Sequence, residues 1–147
     1  MAGEDRYRLA PVRDERARNE RVRRGDLAVA VGDARETAAR LDAARARTQA
    51  ARDALTAAVA ARDSLTRTDT TPAQLVLADR FIARRRGELD RILGEELRVE
   101  AAHESRLDSL DVARQRLVRA RADREVIERH FATWRHTQQK LAERRED

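Results

Sequence analysis

Three histidines, His103, His130 and His136, are the side chains of this chain best suited to metal binding. His130 and His136 are six residues apart, whereas two ligands on one helix face need a spacing of three or four. With no cysteine there is no thiolate ligand or nucleophile. Acids are plentiful but interleaved with bases, and neither a glycine-rich phosphate loop nor a nucleophile beside its base can be found. We therefore assign no catalytic, cofactor or metal residue and expect no enzyme. The chemistry that remains is recognition by arginine.

Arginine is concentrated in two segments. Eight arginines run from Arg6 to Arg24, among them Arg13, Arg16 and Arg18, against Asp14, Glu15 and Glu20. Five run from Arg114 to Arg124, among them Arg119 and Arg121, against Asp123 alone. A planar guanidinium binds carboxylates or phosphates in two-pronged fashion, so the segments read as a surface for an acidic partner or for phosphates. The competing reading is a solvated face neutralised by Asp14–Arg18, Glu20–Arg24 and Glu125–Arg129, each pair worth only a few tenths of a kcal/mol. Aromatic rings do not interleave with the basic runs, which argues against base stacking, and we expect no nucleic acid. The net charge is only +5, from 32 basic and 27 acidic residues. A second patch places Leu77 and Phe81 four apart beside Arg84, Arg85 and Arg86, an aromatic next to arginines of the kind found at interfaces. The alternative there is a locally wider core.

These residues need elements to hold them. Charged residues make up 40% of the chain and aromatics 3%, and much of the 41% hydrophobic share is alanine, which lines a thin seam but cannot fill a thick core. Residues 67–71 carry Thr and Asp ahead of Pro72, a helix break. They also restart a helix, with Thr71 as N-cap, Pro72 as first helical residue and Gln74 completing a capping box. A helix start at Pro11 has Asp14 and Glu15 in its first turns. The expected elements are a helix over about 11–66, a hinge over about 67–71 and a helix over about 72–145, in one all-α domain spanning 1–147. At ~1.5 Å per residue the arms would be roughly 80 to 110 Å long.

Periodicity supports this. In the second helix the seven-residue series starting at Leu75 and Ala78 are apolar at 14 of 20 positions, interrupted by Glu96, His103 and Arg124 among others. In the first helix the seam runs from Leu27 to Leu65, with nine of 12 positions apolar, and is poorer before Leu27. A short hinge makes the helices antiparallel neighbours in a coiled-coil hairpin, with a parallel homodimer as the competitor. If the fold centres near Asp69, Tyr7 and Leu9 fall beside Phe131 and Trp134, and His103 falls level with Glu36 and Thr37, neutral or Glu-paired and helping to fix register. Gly25 and Gly32 bracket Val29 and Val31, an expected soft segment. The N-terminus lacks an apolar signal stretch, and the longest weakly apolar run, 54–61, is too short to cross a bilayer, so a cytoplasmic protein with no membrane insertion is expected.

The opening YRLAPVRDERARNERVRR, the mid-chain break and the closing HFATWRHTQQKLAERRED together resemble the FliJ/YscO family, the central stalk proteins of flagellar and type III secretion (injectisome) export ATPases. The resemblance implies a non-enzymatic, cofactor-free monomer, cytoplasmic and peripheral to the inner-membrane export apparatus. It implies that the end with both termini, carrying Tyr7, Arg13, Arg16, Arg18, Arg119, Arg121 and Trp134, enters the hexameric secretion ATPase. The hinge side, with Leu77, Phe81, Arg84 and Arg85, would reach the cytoplasmic domain of the export-gate membrane protein, and secretion chaperones are further partners. The other function weighed is a basic coiled-coil scaffold or nucleic-acid-associated protein unrelated to secretion.

Overall fold

In a computed structural model that describes residues 6–146, the chain forms two long helices and, among these residues, no strand: α1 (Ala10–Leu65) and α2 (Pro72–Glu146). They pair antiparallel as a helical hairpin. The chain divides into two compact units, one joining the part up to Gly32 to the part from Asp108 onward, the other spanning Asp33–Leu107. We call them the terminal unit and the hinge unit.

In the hinge unit, threonine hydroxyls close the end of α1. Thr68 Oγ1 donates to Leu65 O at 3.1 Å, Thr66 Oγ1 to Asp63 O at 2.6 Å, and Thr70 Oγ1 also reaches Leu65 O, satisfying carbonyls that a helix end leaves without partners. The next helix opens with the expected capping box. The Thr71 N–H donates to Gln74 Oε1 at 3.0 Å and the Gln74 N–H donates to Thr71 Oγ1 at 3.3 Å. Arg62 Nε then meets Asp79 at 2.7 Å across the fold-back. The seam buries Ala34, Leu41, Ala44 and Ala58 of α1 and Ile82 of α2, all of them members of the predicted series. Polar pairs interrupt it. Thr37 Oγ1 and His103 Nδ1 lie 2.8 Å apart, and Thr48 donates to Glu96. Glu36 is not the partner of His103, because it is held by Arg40 of its own helix at 2.6 Å. The Thr37 hydroxyl lies 3.1 Å from Ala34 O, so when it donates there its lone pair receives a His103 Nδ1–H.

In the terminal unit α2 supplies the apolar seam, with Leu110, Ala113, Leu117, Ala120 and Ile127 buried. Among the described residues of the facing part of the chain, Tyr7 and Glu20 are buried. The helix begins at Ala10, whose N–H donates to Tyr7 O at 3.2 Å, so the anchored tyrosine sets the entry of the chain into α1. The start one residue before Pro11 leaves the first turn without an acid, and Asp14 and Glu15 fall beyond it. Gly25 and Gly32 lie within continuous helix, with no positive φ and open space where a Cβ would stand.

Candidate functional site

The terminal unit gathers most of the arginines and aromatics singled out above. Tyr7 is 6% exposed and its ring is packed against three partners of α2, at centroid distances of 5.7 Å to His130, 5.0 Å to Phe131 and 5.2 Å to Trp134. Its hydroxyl and His130 Nδ1 share a hydrogen bond of 2.9 Å, so the polar end of a buried ring is satisfied. Phe131 and Trp134 stack at 5.8 Å. Arg13 closes the cluster by two bonds at once. Its guanidinium lies 4.0 Å from the centre of the Phe131 ring, and its Nε and Nη2 donate to the two Glu128 oxygens at 2.8 and 3.1 Å. That fork holds the Glu128 carboxyl below its ordinary pKa and raises that of Arg13, with desolvation opposing both shifts. Tyr7 and Arg13 are thereby committed to ties within the fold. Trp134, on the same cluster, is half-buried and keeps an accessible edge.

Glu20 makes a second node. Arg124 donates to it at 2.9 Å, Arg24 at 2.8 Å, and Arg121 stands at 3.9 Å. The hydrogen bond from Arg124 holds the Glu20 carboxyl below its ordinary value against the opposing effect of burial. Read by spacing alone, Glu20 is a solvated partner of Arg24, and its link to α2 is missed. A signal for that link exists in the sequence: Arg124 falls on the seam series, and a seam arginine needs an acid opposite. His130, considered above only as a metal ligand, is likewise brought beside Tyr7 by the same register that brings Phe131 there.

The remaining arginines divide in two. Arg16 bonds Asp123 at 3.2 Å, and Arg23 bonds Asp26 at 3.3 Å. The expected Glu125–Arg129 pair is present at 3.7 Å. The expected Asp14–Arg18 pair is absent, which leaves Arg18 exposed without an ion pair; Arg119 is in the same state. Between Arg13, Phe131, Arg135, His136 and Gln139 the surface dips into an open depression of about 330 Å³.

In the hinge unit, Leu77 is 63% exposed and Phe81 39% exposed, so a wider local core does not absorb them. The guanidinium carbons of Arg85 and Arg84 lie 4.9 and 5.7 Å from the centre of the Phe81 ring. Arg85 also bonds Glu88 at 2.8 Å, whereas Arg84 has only the ring. These four residues form one surface, an aliphatic and an aromatic side chain edged by cations, suited to docking a protein. Among the described residues no helix is long and apolar enough to cross a membrane. No protein family, curated protein or solved structure matches the chain.

Proposed function

We propose that this protein is a non-enzymatic central stalk of a type III secretion or flagellar export apparatus, coupling a hexameric ATPase to the export gate. It acts as a single chain on the cytoplasmic side of the inner membrane, with secretion chaperones as further partners. The observation that carries this reading is the division of labour among the terminal-unit arginines. Arg13 and Arg124 tie the two helices through the half-buried Glu128 and the buried Glu20, which Arg24 of its own helix also holds, while Arg18 and Arg119 stand exposed and unpaired for an acidic partner. The unit built from both ends of the chain is thus braced and cationic, as a shaft seated in a ring of carboxylates would need to be. The Leu77–Phe81 surface then faces the gate.

The test uses Arg18→Glu with Arg119→Glu, because neither side chain holds the fold. Arg16 and Arg121 are poorer choices, since each already bonds an acid of the facing helix. The double variant is expected to keep its helicity and to lose association rate and stimulation with the ATPase by several-fold, the loss shrinking as salt shortens the Debye length below ~10 Å. Phe81→Ala should leave ATPase stimulation unchanged and weaken binding to the gate protein's cytoplasmic domain. If the charge reversals leave ATPase binding intact while Phe81→Ala removes it, the assignment of the two surfaces is reversed. Tight binding of any DNA duplex, falling steeply with salt, would favour a phosphate-binding scaffold instead.

A further inference from the structure

We infer that one flank of the hinge unit, with Leu77 and Phe81 of α2 and Ala50, Ala54, Ala57 and Ala61 of α1, is a groove for a third helix, supplied by a partner protein and carrying acidic residues beside large apolar ones. The inference takes from the stalk reading only that the Leu77–Phe81 surface meets a protein, and it names the chemistry of the segment that docks there.

A two-helix seam leaves two flanks, and the cross-helix ion pairs identify them. Arg45–Glu100 and Arg62–Asp79 lie on one flank and Asp33–Arg106 on the other. Counting heptads from the seam, Leu77, Phe81 and Arg84 of α2 fall on the flank of Asp33–Arg106, and so do Ala50, Ala54, Ala57 and Ala61 of α1. The positions beside a coiled-coil seam ordinarily carry charges, which solvate it and pair across it. Arg45 does this on the first flank, pairing with Glu100, and Arg52 adds an exposed charge there. On the second, α1 presents four alanines in succession; three are exposed and Ala54 is half-buried.

The register set by Arg62–Asp79 brings Phe81 level with the stretch between Ala57 and Ala61. The apolar surface of Leu77 and Phe81 therefore continues across the seam onto a floor of methyl groups. A floor of small side chains lets a neighbouring helix approach toward the ~8 Å end of the interaxial range and receives large side chains from it. The spacing of four, three and four residues is that of a heptad seam, so the partner that matches it is itself a helix.

Charge selects which helix. The acids of this flank on α2 are already held, Glu88 by Arg85 at 2.8 Å and Glu95 by Arg91 at 2.8 Å. Arg84 touches only the Phe81 ring, and Arg98 and Arg47 are exposed without an ion pair. On the heptad positions of this flank the uncommitted charge is thus positive, and Asp53 at the outer edge of the floor is met by Gln49. A second copy of this chain would bring arginine against arginine, whereas a helix with glutamates flanking its leucines would meet them.

The experiment is a titration of the full-length, ¹⁵N-labelled chain with a synthetic helical peptide of about three heptads, leucine at the seam positions and glutamate elsewhere. Two controls are the same composition scrambled and the same pattern with lysine for glutamate. We expect saturable shifts confined to amides 47–61 and 77–98, with a dissociation constant in the range of about 1–100 µM. Phe81→Ala and Ala57→Arg should each weaken binding by about tenfold or more with helicity unchanged, and the lysine peptide should not bind. No binding up to about 1 mM, equal binding of either control, or shifts mapping elsewhere would each overturn the inference. Self-association of the chain through the same residues would replace the partner helix with a second copy. None of these outcomes touches the Arg18 and Arg119 experiment on the ATPase, so the two readings fail separately.

Discussion

A carboxylate only 5% exposed must exchange its water for other donors, and Glu20 does so with Arg24 on its own helix and Arg124 on the facing one. The exchange has a pH signature. The folded-state pKa of Glu20 lies below the ordinary glutamate value of 4.5, first through the hydrogen bond from Arg124, and that of Glu128 is lowered by Arg13 in the same unit. A lowered acid stabilises the fold fully above its unfolded pKa and loses that contribution as pH falls through the folded value. Stability should therefore be flat from pH 7 to about 5 and decline below 4.5. Glu20→Gln should lower stability at neutral pH, because Arg124 loses its counter-charge, and should make the acid decline shallower. Thermal melts of both proteins between pH 7 and 3 check this, and an unchanged acid slope in the variant would count against the Glu20 node. The tie is half legible in the sequence: an arginine on an apolar heptad series announces a buried charge, but which acid answers it depends on the stagger between helices.

Helix boundaries, in contrast, are local affairs and are legible to within a residue. Thr71, Pro72 and Gln74 specify a start by the bonds they make with their own backbone, and those bonds form. Ala10 extends α1 one residue beyond expectation because Tyr7, pinned to α2, offers its carbonyl. The glycines are another local matter. Gly25 and Gly32 have no positive φ, and no neighbour lies within 4 Å of the point a side-chain methyl would occupy, so nothing in their surroundings requires glycine. Each costs helix stability of ~1 kcal/mol relative to alanine. Replacing both by alanine should raise stability by up to ~2 kcal/mol without altering the helical content. In the parent protein, amide exchange across 25–32 should outpace that across 43–58, and the double variant should narrow the gap. Equal exchange in the two segments would mean that packing across the helix pair, and not backbone preference, governs this stretch.

For the molecule as a whole, the all-helical hairpin follows from apolar periodicity and a short hinge, and nearly every buried apolar residue belongs to the predicted series. What composition could not reveal is how the arginines divide between those that hold the fold and those left without an ion pair, since a count of charges is blind to which of them meet. The hinge has a further consequence, in the order of folding. Arg62 and Asp79 are separated by 17 residues, Tyr7 and His130 by 123, and closing the longer loop first would cost about 1.8 kcal/mol more in chain entropy. Pairing that begins at the capping box and zips outward avoids this difference, because each new contact closes only a small additional loop. The tyrosine clasp is then among the last contacts to form. In stopped-flow measurements Thr71→Ala should mainly slow folding and Tyr7→Ala mainly speed unfolding, and the opposite pattern would place the nucleus at the termini. A chain that closes in this direction also opens from the clasp first, so the tyrosine clasp, and not the capping box, is where fraying begins.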